Sequence, residues 1–312
     1  MKVIEHELSS PWEAVLYEPS ADSTSGVVVL AGSSGRVDRQ RARLLAEQGI
    51  LALAIRWFGG AGQPAGICEV PLETFVAAVD LLKEYGVARV GMLGVSKGAE
   101  AALLTAVHDP RVDAVMAVSP TSLVWCNIGP GLDGQHRPYR SSWTWRGRPL
   151  PFIPLDDSWQ QAHQADGPRA IRGWYELSER TFARCLDAAA IPVEKARADL
   201  LLVAGADDKM WSPLRYAEQL AARRRAAGAP VRLISRNDAG HLPRFPGEGG
   251  RPALQNFPVW GNSPRRQAPR RRSLGSPYTQ TRSGCRSSER LRTGRPRRRD
   301  QAVVALWPQC KG

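Results

Sequence analysis

From residue 26 onward, short continuous apolar runs alternate with longer stretches in which apolar residues recur every three or four positions. Residues 27–30, Val-Val-Val-Leu, hold no polar position and predict a buried strand. The next stretch, 41–48, has helical spacing that stops at Gly49. The alternation continues with a strand over 50–55, a helix over 71–85 and a strand over 89–93. That helix rests on Phe75, Val76, Val79, Leu81 and Leu82 and stops at Gly86. A helix over 99–107 and a strand over 114–118 follow, and a later block adds a strand over 199–204, a helix over 214–227 and a strand over 231–235. Strands too continuously apolar to have a wet face, separated by amphipathic helices, call for an α/β fold. Its mostly parallel sheet would carry helices on both faces.

The pattern fails in two places. Between 121 and 184 the alternation stops, and this segment holds Trp125, Trp143, Trp145, Trp159 and Trp174, half of the ten tryptophans, with Pro138, Pro149, Pro151 and Pro154. It predicts an insertion or cap folded over the sheet edge above the active site, where such covers shape substrate pockets. Beyond residue 250 no apolar period is sustained. Residues 251–312 contain fourteen Arg and one Lys against Glu289 and Asp300, a net charge of +13. Taken from 43 basic and 30 acidic residues overall, this leaves 28 of each before residue 251, so the body is neutral and the tail carries the charge. The expected organisation is a strand segment at 1–25, one catalytic domain at 26–262 and a basic, disordered tail at 263–312.

Several function classes drop out. Cys68, Cys126, Cys185, Cys285 and Cys310 are odd in number and contain no C-x-x-C pair, which argues against a disulfide framework or a zinc cluster and for a reduced cytoplasmic setting. The N-terminal MKVIEHELSSPWEAV lacks an apolar core of the secretory type, and no apolar stretch approaches membrane-spanning length. Gly60-Ala61-Gly62-Gln63-Pro64-Ala65 fits G-x-G-x-x-A, but Pro64 interrupts it and no helix follows at once, and no phosphate-binding G-x-x-x-x-G-K-[ST] exists. No cofactor and no metal are expected. Thr293-Gly294-Arg295-Pro296-Arg297-Arg298 is like a minor-groove hook, so the tail would hold nucleic acid nonspecifically, by charge, if at all. A nucleic-acid-binding protein on an inactive scaffold is the competing class.

The candidate chemistry lies in Leu93-Gly94-Val95-Ser96-Lys97-Gly98-Ala99-Glu100, read as LGVSKGAE. A G-x-S-x-G match arises by chance in about one such chain in five, so context decides. Ser96 falls at the turn from the strand over 89–93 to the helix over 99–107, where a nucleophile elbow requires it. A serine needs a base, and the base an orienting carboxylate. Gly205-Ala206-Asp207-Asp208 directly follows the strand over 199–204, and His241 lies shortly after the strand over 231–235, in the order serine, acid, histidine. His6 and His108 read as surface residues, and His136 and His163 lie in the insertion. The oxyanion donors would be the backbone amide of Lys97 and one from the loop Ala31-Gly32-Ser33-Ser34-Gly35-Arg36, with Ser34 preferred. Lys97 and Arg36 would stand at the rim as solvated charges able to attract an acidic substrate.

The blocks LAGSSGRVDRQRARLLAEQGILALAIRWFG, VGMLGVSKGAEAAL, SSWTWRGRPLPFIP, VAGADDKMWSP and NDAGHL resemble the C-terminal catalytic domain of the acyl-CoA thioesterase and bile-acid-CoA:amino-acid N-acyltransferase family. That is a dienelactone-hydrolase-like group of α/β hydrolases, and the resemblance covers 25–261. It implies Ser96 as nucleophile, His241 as base and Asp208 as the acid, with Asp207 in reserve. It also implies cleavage of an acyl-CoA through an acyl-serine, since serine members of the family favour water over an amino acid as acceptor. Dienelactone-type or carboxylesterase substrates, and transfer to an amino acid, stay open. Many members carry an N-terminal β-sandwich that helps form the substrate site, whereas only 1–25 precede the first core strand here. The family usually follows its Trp-Gly block with an amphipathic helix. Here Val259-Trp260-Gly261-Asn262-Ser263-Pro264 runs into RRQAPRRRSLGSP, which reads as translation in a shifted frame.

Overall fold

A computed structural model describes residues 2–137, 139–161 and 170–248. The basic tail, the frame-shift reading and His163 lie outside the described residues. In chain order the elements are β1 (Val3–Leu8), β2 (Ala14–Pro19), β3 (Ser25–Leu30), α1 (Arg39–Glu47), β4 (Leu51–Ile55), β5 (Val70–Pro71), α2 (Glu73–Glu84), β6 (Arg89–Val95) and α3 (Lys97–His108). They continue with β7 (Val112–Val118), β8 (Trp143–Trp145), β9 (Arg148–Pro149), α4 (Arg172–Thr181), α5 (Leu186–Ala189), β10 (Asp199–Gly205), α6 (Pro213–Ala226) and β11 (Val231–Arg236).

Eight strands form one sheet in the order β1-β2-β4-β3-β6-β7-β10-β11. The β4-β3-β6-β7-β10-β11 run is parallel, and β1 and β2 join it antiparallel. This is the expected α/β hydrolase architecture. The continuous apolar character of 27–30 has a direct reason, for both faces of β3 are covered. Val28 and Leu30 enter the larger core with Phe75, Val79, Leu82 and Leu103, while Val27 and Val29 pack with Ala42, Leu45 and Ala46 of α1.

The helix and strand bounds move by a few residues, each for a local reason. The helix expected from 41 starts at Arg39 because the Asp38 carboxylate caps it, accepting from the Arg41 amide at 3.3 Å. The helix expected from 71 starts at Glu73 because Val70 and Pro71 pair with β8 instead. The strand segment at 1–25 is a hairpin, with β2 buried and β1 half exposed at the sheet edge.

The insertion is more than a surface loop. Trp143 is fully buried, 5.4 Å from Trp57 and 5.9 Å from Phe75 between ring centres, and so enters the main core. Trp125 anchors a second cluster with Ile153, Tyr175 and Trp211. A small sheet of β5, β8 and β9 holds the tryptophan-bearing segment to the start of α2.

The chain leaves β3 toward β4 on one side and returns through α2 to β6 on the other. The strand order therefore reverses between β3 and β6. In open sheets of this kind the carboxyl ends of the strands at such a reversal are the usual ligand position.

One buried cation ties the far side together. Arg224 of α6 is 1% exposed and donates to the carbonyls of Val193 (3.0 Å), Ala196 (2.7 Å), Ala198 (2.7 Å) and Pro230 (3.2 Å). Arg224→Leu should strand these acceptors and lower unfolding free energy by about 3 kcal/mol. Urea denaturation checks this, and a loss under about 1 kcal/mol would mean the carbonyls find other partners.

Candidate active site

The turn from β6 to α3 is built by backbone approach. A methyl at Gly94 would lie 2.1 Å from the Gly98 carbonyl oxygen, and one at Gly98 would lie 2.4 Å from the Ala31 carbonyl oxygen. No side chain fits at either position. Between them Ser96 is held at φ 57° and ψ −120°, a conformation that L residues other than glycine seldom adopt. Its amide donates to Val118 O at 2.9 Å, which fixes the turn to β7. The loop after β3 comes alongside, with Gly32 the residue in contact: a methyl there would sit 3.2 Å from Ser96 Cβ. Ser34 lies two residues further on, half-buried in the same turn.

The acid and the histidine sit at the ends of the next strands. Ala206 N donates to Arg236 O (2.9 Å) and Asp207 N to Ala239 O (3.1 Å), so the turn after β10 is stitched to the loop after β11. His241 Nδ1 is 2.6 Å from Asp208 Oδ2. The Asp208 side chain is fully buried, and its other oxygen accepts from the amides of Met210 (2.6 Å) and Trp211 (3.3 Å). Asp207 points outward instead and pairs with Lys209 on the surface. Of the two adjacent acids, the geometry selects Asp208 as the imidazole's partner. Because Nδ1 is engaged, Nε2 is the nitrogen left for proton transfer. Among the described residues Ser96 Oγ makes no hydrogen bond to His241. The structure thus joins two of the three candidates directly and places the third at the end of a strand in the same parallel run.

Two supporting residues carry no sequence signal. Ser119, at the end of β7 with φ 48°, donates its hydroxyl to the His241 carbonyl at 2.6 Å. Trp211 meets the His241 ring edge-on, 5.4 Å between centres. Both act across the fold, and a serine after a strand or a tryptophan before a helix is too common to single out.

Lys97 differs from expectation. Its side chain is not at the rim: it is 0% exposed, turned inward from the first turn of α3 to pair with Glu100 Oε2 at 2.7 Å. Glu100 Oε1 accepts from Trp143 Nε1 (2.7 Å) and the Trp125 amide (3.1 Å). Burial holds the Lys97 ammonium below its ordinary pKa and the Glu100 carboxyl above its own, each opposed by the other's charge. The nearby Cys126 thiol is pushed up to about 12, mainly by burial, and is no thiolate nucleophile. Arg36 is exposed, as expected. His6 pairs with Glu18 at 2.9 Å, and His136 pairs with Asp133 on the surface. His108, expected at the surface, is half-buried and stacks on Trp145 at 4.6 Å. Among the described residues no cluster of His, Cys, Asp and Glu is arranged to hold a metal ion, and no helix is long and apolar enough to cross a membrane.

Comparison with known proteins adds a family. The model of "BAAT / Acyl-CoA thioester hydrolase C terminal" matches residues 70–249. Mouse bile acid-CoA:amino acid N-acyltransferase is 27% identical over 233 residues, covering 73% of this chain and 51% of its own. Human acyl-coenzyme A thioesterase 1 is 26% identical over 263 residues, covering 80% and 57%. The chain thus spans about half the length of these curated relatives. Among solved structures, a puromycin-hydrolyzing peptidase of Mycobacterium tuberculosis superposes with a TM-score of 0.51 at 15% identity, over 77% of this chain and 36% of that one. This last likeness is one of fold.

The stitched loops make a specific demand on Gly205. A methyl there would fall 2.1 Å from the Ala239 carbonyl oxygen, two residues before the histidine. Gly205→Ala should displace the 237–243 loop, lower stability by about 2 kcal/mol and raise amide exchange across that loop. Unchanged exchange there would show that the loop is not held by this approach.

Proposed function

The chain belongs to the BAAT / acyl-CoA thioester hydrolase C-terminal family, and from that premise we propose that it is a serine hydrolase cleaving an acyl-CoA to free acid and CoA. The observation that carries this reading is the Asp208–His241 hydrogen bond, 2.6 Å long, in a fold whose strained turn after β6 presents Ser96.

In the proposed cycle His241 Nε2 takes the Ser96 hydroxyl proton as Oγ attacks the thioester carbonyl. Asp208, fixed by two backbone amides, holds the ring and favours the imidazolium that forms. The tetrahedral oxyanion meets the amides of Lys97 and Ser34, with the partial positive charge of the α3 N-terminus behind the first. Collapse expels the thiol, which takes the proton back from His241, and leaves acyl-Ser96. Water, deprotonated by His241, then attacks the acyl carbon, and the acid leaves as the serine is reprotonated. The groups named suffice for these steps. The substrate is thus a small-molecule thioester.

A second reading, transfer of the acyl group to an amino acid, is supported by the name of the mouse relative. The two share every step up to acyl-Ser96 and differ only in the acceptor. Glycine added to the assay separates them, since transfer yields an N-acyl product and hydrolysis does not.

The reading is tested with a panel of acyl-CoA and p-nitrophenyl esters. Ser96→Ala should reduce turnover by at least about 10⁴-fold and Asp208→Asn by about 10⁴-fold, while Asp207→Asn stays within about twofold. Equal turnover by Ser96→Ala and the parent protein would end the nucleophile assignment.

A further inference from the structure

The residue after the candidate nucleophile has two separate parts to play. Its backbone amide is the proposed oxyanion donor, and its side chain is the cation of a fully buried ion pair. Lys97 and Glu100 lie one and four positions beyond Ser96 on the first turn of α3, and both side chains are 0% exposed. The ammonium is 2.7 Å from Glu100 Oε2 and sits over the Trp143 ring at 5.2 Å from its centre. The other Glu100 oxygen is shared by the Trp143 indole (2.7 Å) and the Trp125 amide (3.1 Å). Every partner of Glu100 thus belongs either to the elbow or to the insertion.

An ion pair taken out of water is a weak source of stability, because desolvation offsets much of the attraction and apolar residues of the same volume do as well. The surrounding turn is already apolar, with Ala99, Ala101, Ala102 and Leu103 buried around it. What a charged pair supplies and a methyl cluster does not is direction: a lysine stem must run one way, to one oxygen. With the stem fixed at both ends, rotation of the Lys97 peptide plane is restrained. The carboxylate fixes two tryptophan-bearing segments of the insertion against the same turn.

We infer that the Lys97–Glu100 pair is a positioning device that sets the Lys97 amide toward the reacting carbonyl and registers the insertion to the elbow. The inference rests on the Ser96 reading above. Neither side chain touches substrate, so both are positioning residues.

The test is the double substitution Lys97→Met/Glu100→Gln in the full chain, which removes both charges, keeps volume and retains an acceptor for Trp125 and Trp143. An ethoxy-fluorophosphonate probe reads the elbow without any knowledge of the natural substrate. Ser96 Oγ forms the O–P bond as fluoride leaves, and His241 takes the proton. The double variant is expected to unfold within about 3 °C of the parent. It should label at least about tenfold more slowly and lose kcat on a p-nitrophenyl ester with KM unchanged. Glu100→Gln alone, which leaves the ammonium without a counter-charge, should show the same kcat loss. A folded double variant labelling within about twofold of the parent overturns the inference. So does failure of the double variant to fold, since the pair would then be a requirement of the core. Ser96→Ala is run alongside: labelling by that variant would sink the hydrolase reading itself, whereas its silence with full labelling by the double variant sinks only the positioning role.

Discussion

The rest of the site depends on how closely three stretches of backbone approach at the end of β6. Gly94 and Gly98 have no room for a methyl group, and the Ala31 carbonyl presses on the second of them. That contact brings the loop after β3 against the start of α3, so the two proposed oxyanion donors come from segments that touch. The same crowding forces Ser96 into its positive-φ turn, which costs about 1–3 kcal/mol and lifts the side chain clear of the helix it begins. Parallel neighbours on both sides of β6 supply the support for that strain, since the Ser96 amide is tied to β7 and the core beneath is closed on both faces.

Charge is handled differently on the two sides of this turn. On the histidine side, Asp208 is buried but well supplied, with two amides on one oxygen and the imidazole on the other. The carboxylate's hydrogen bonds therefore come from fixed backbone dipoles and the imidazole, with no lysine or arginine among these partners. On the helix side, Glu100 has the same number of amide or indole donors and also a full cation. A carboxylate already neutralised by Lys97 has little left to offer a transient positive charge. The two buried acids are thus satisfied in different ways, one by backbone amides and an imidazole and the other by an amide, an indole and an ammonium.

Much of this was legible in the chain, for physical reasons that differ by element. Strands buried on both faces must be apolar along their length, so 27–30, 50–55 and, after its leading Asp199, the strand over 199–204 announced themselves, and a parallel sheet followed. Gly94, Ser96 and Gly98 were legible because steric exclusion at a strand-to-helix turn acts within five residues. The choice between Asp207 and Asp208 could not be read from the residues alone. It depends on which carboxylate faces a loop some thirty residues away, and only the family resemblance favoured Asp208. Lys97 was misplaced for the opposite reason: a lysine at a loop rim is normally solvated, and only a carboxylate one helical turn along, capped by tryptophans from the insertion, makes burial tolerable. The insertion hid its contribution because Trp143 enters the core through a two-residue pairing with β5, too short to leave a periodic trace. The hairpin of β1 and β2 was blurred likewise, since an edge strand half exposed to water shows mixed polarity.

The insertion reaches the candidate site by two routes. Through Glu100 it meets the first turn of α3, and through a ladder of edge-to-face rings it reaches His241: Trp125 meets Tyr175 at 4.7 Å, Tyr175 meets Trp211 at 5.4 Å, and Trp211 meets His241 at 5.4 Å. Burial keeps the Tyr175 phenol well above its ordinary pKa, so this wall stays neutral beside Asp208. Close-packed rings shift together rather than deform singly. A repacking of Trp125 or Tyr175 would therefore bear on the His241 ring and, through Glu100, on the first turn of α3. Trp125 thus links the carboxylate beside the Ser96 turn to the imidazole held by Asp208, through one continuous wall of rings.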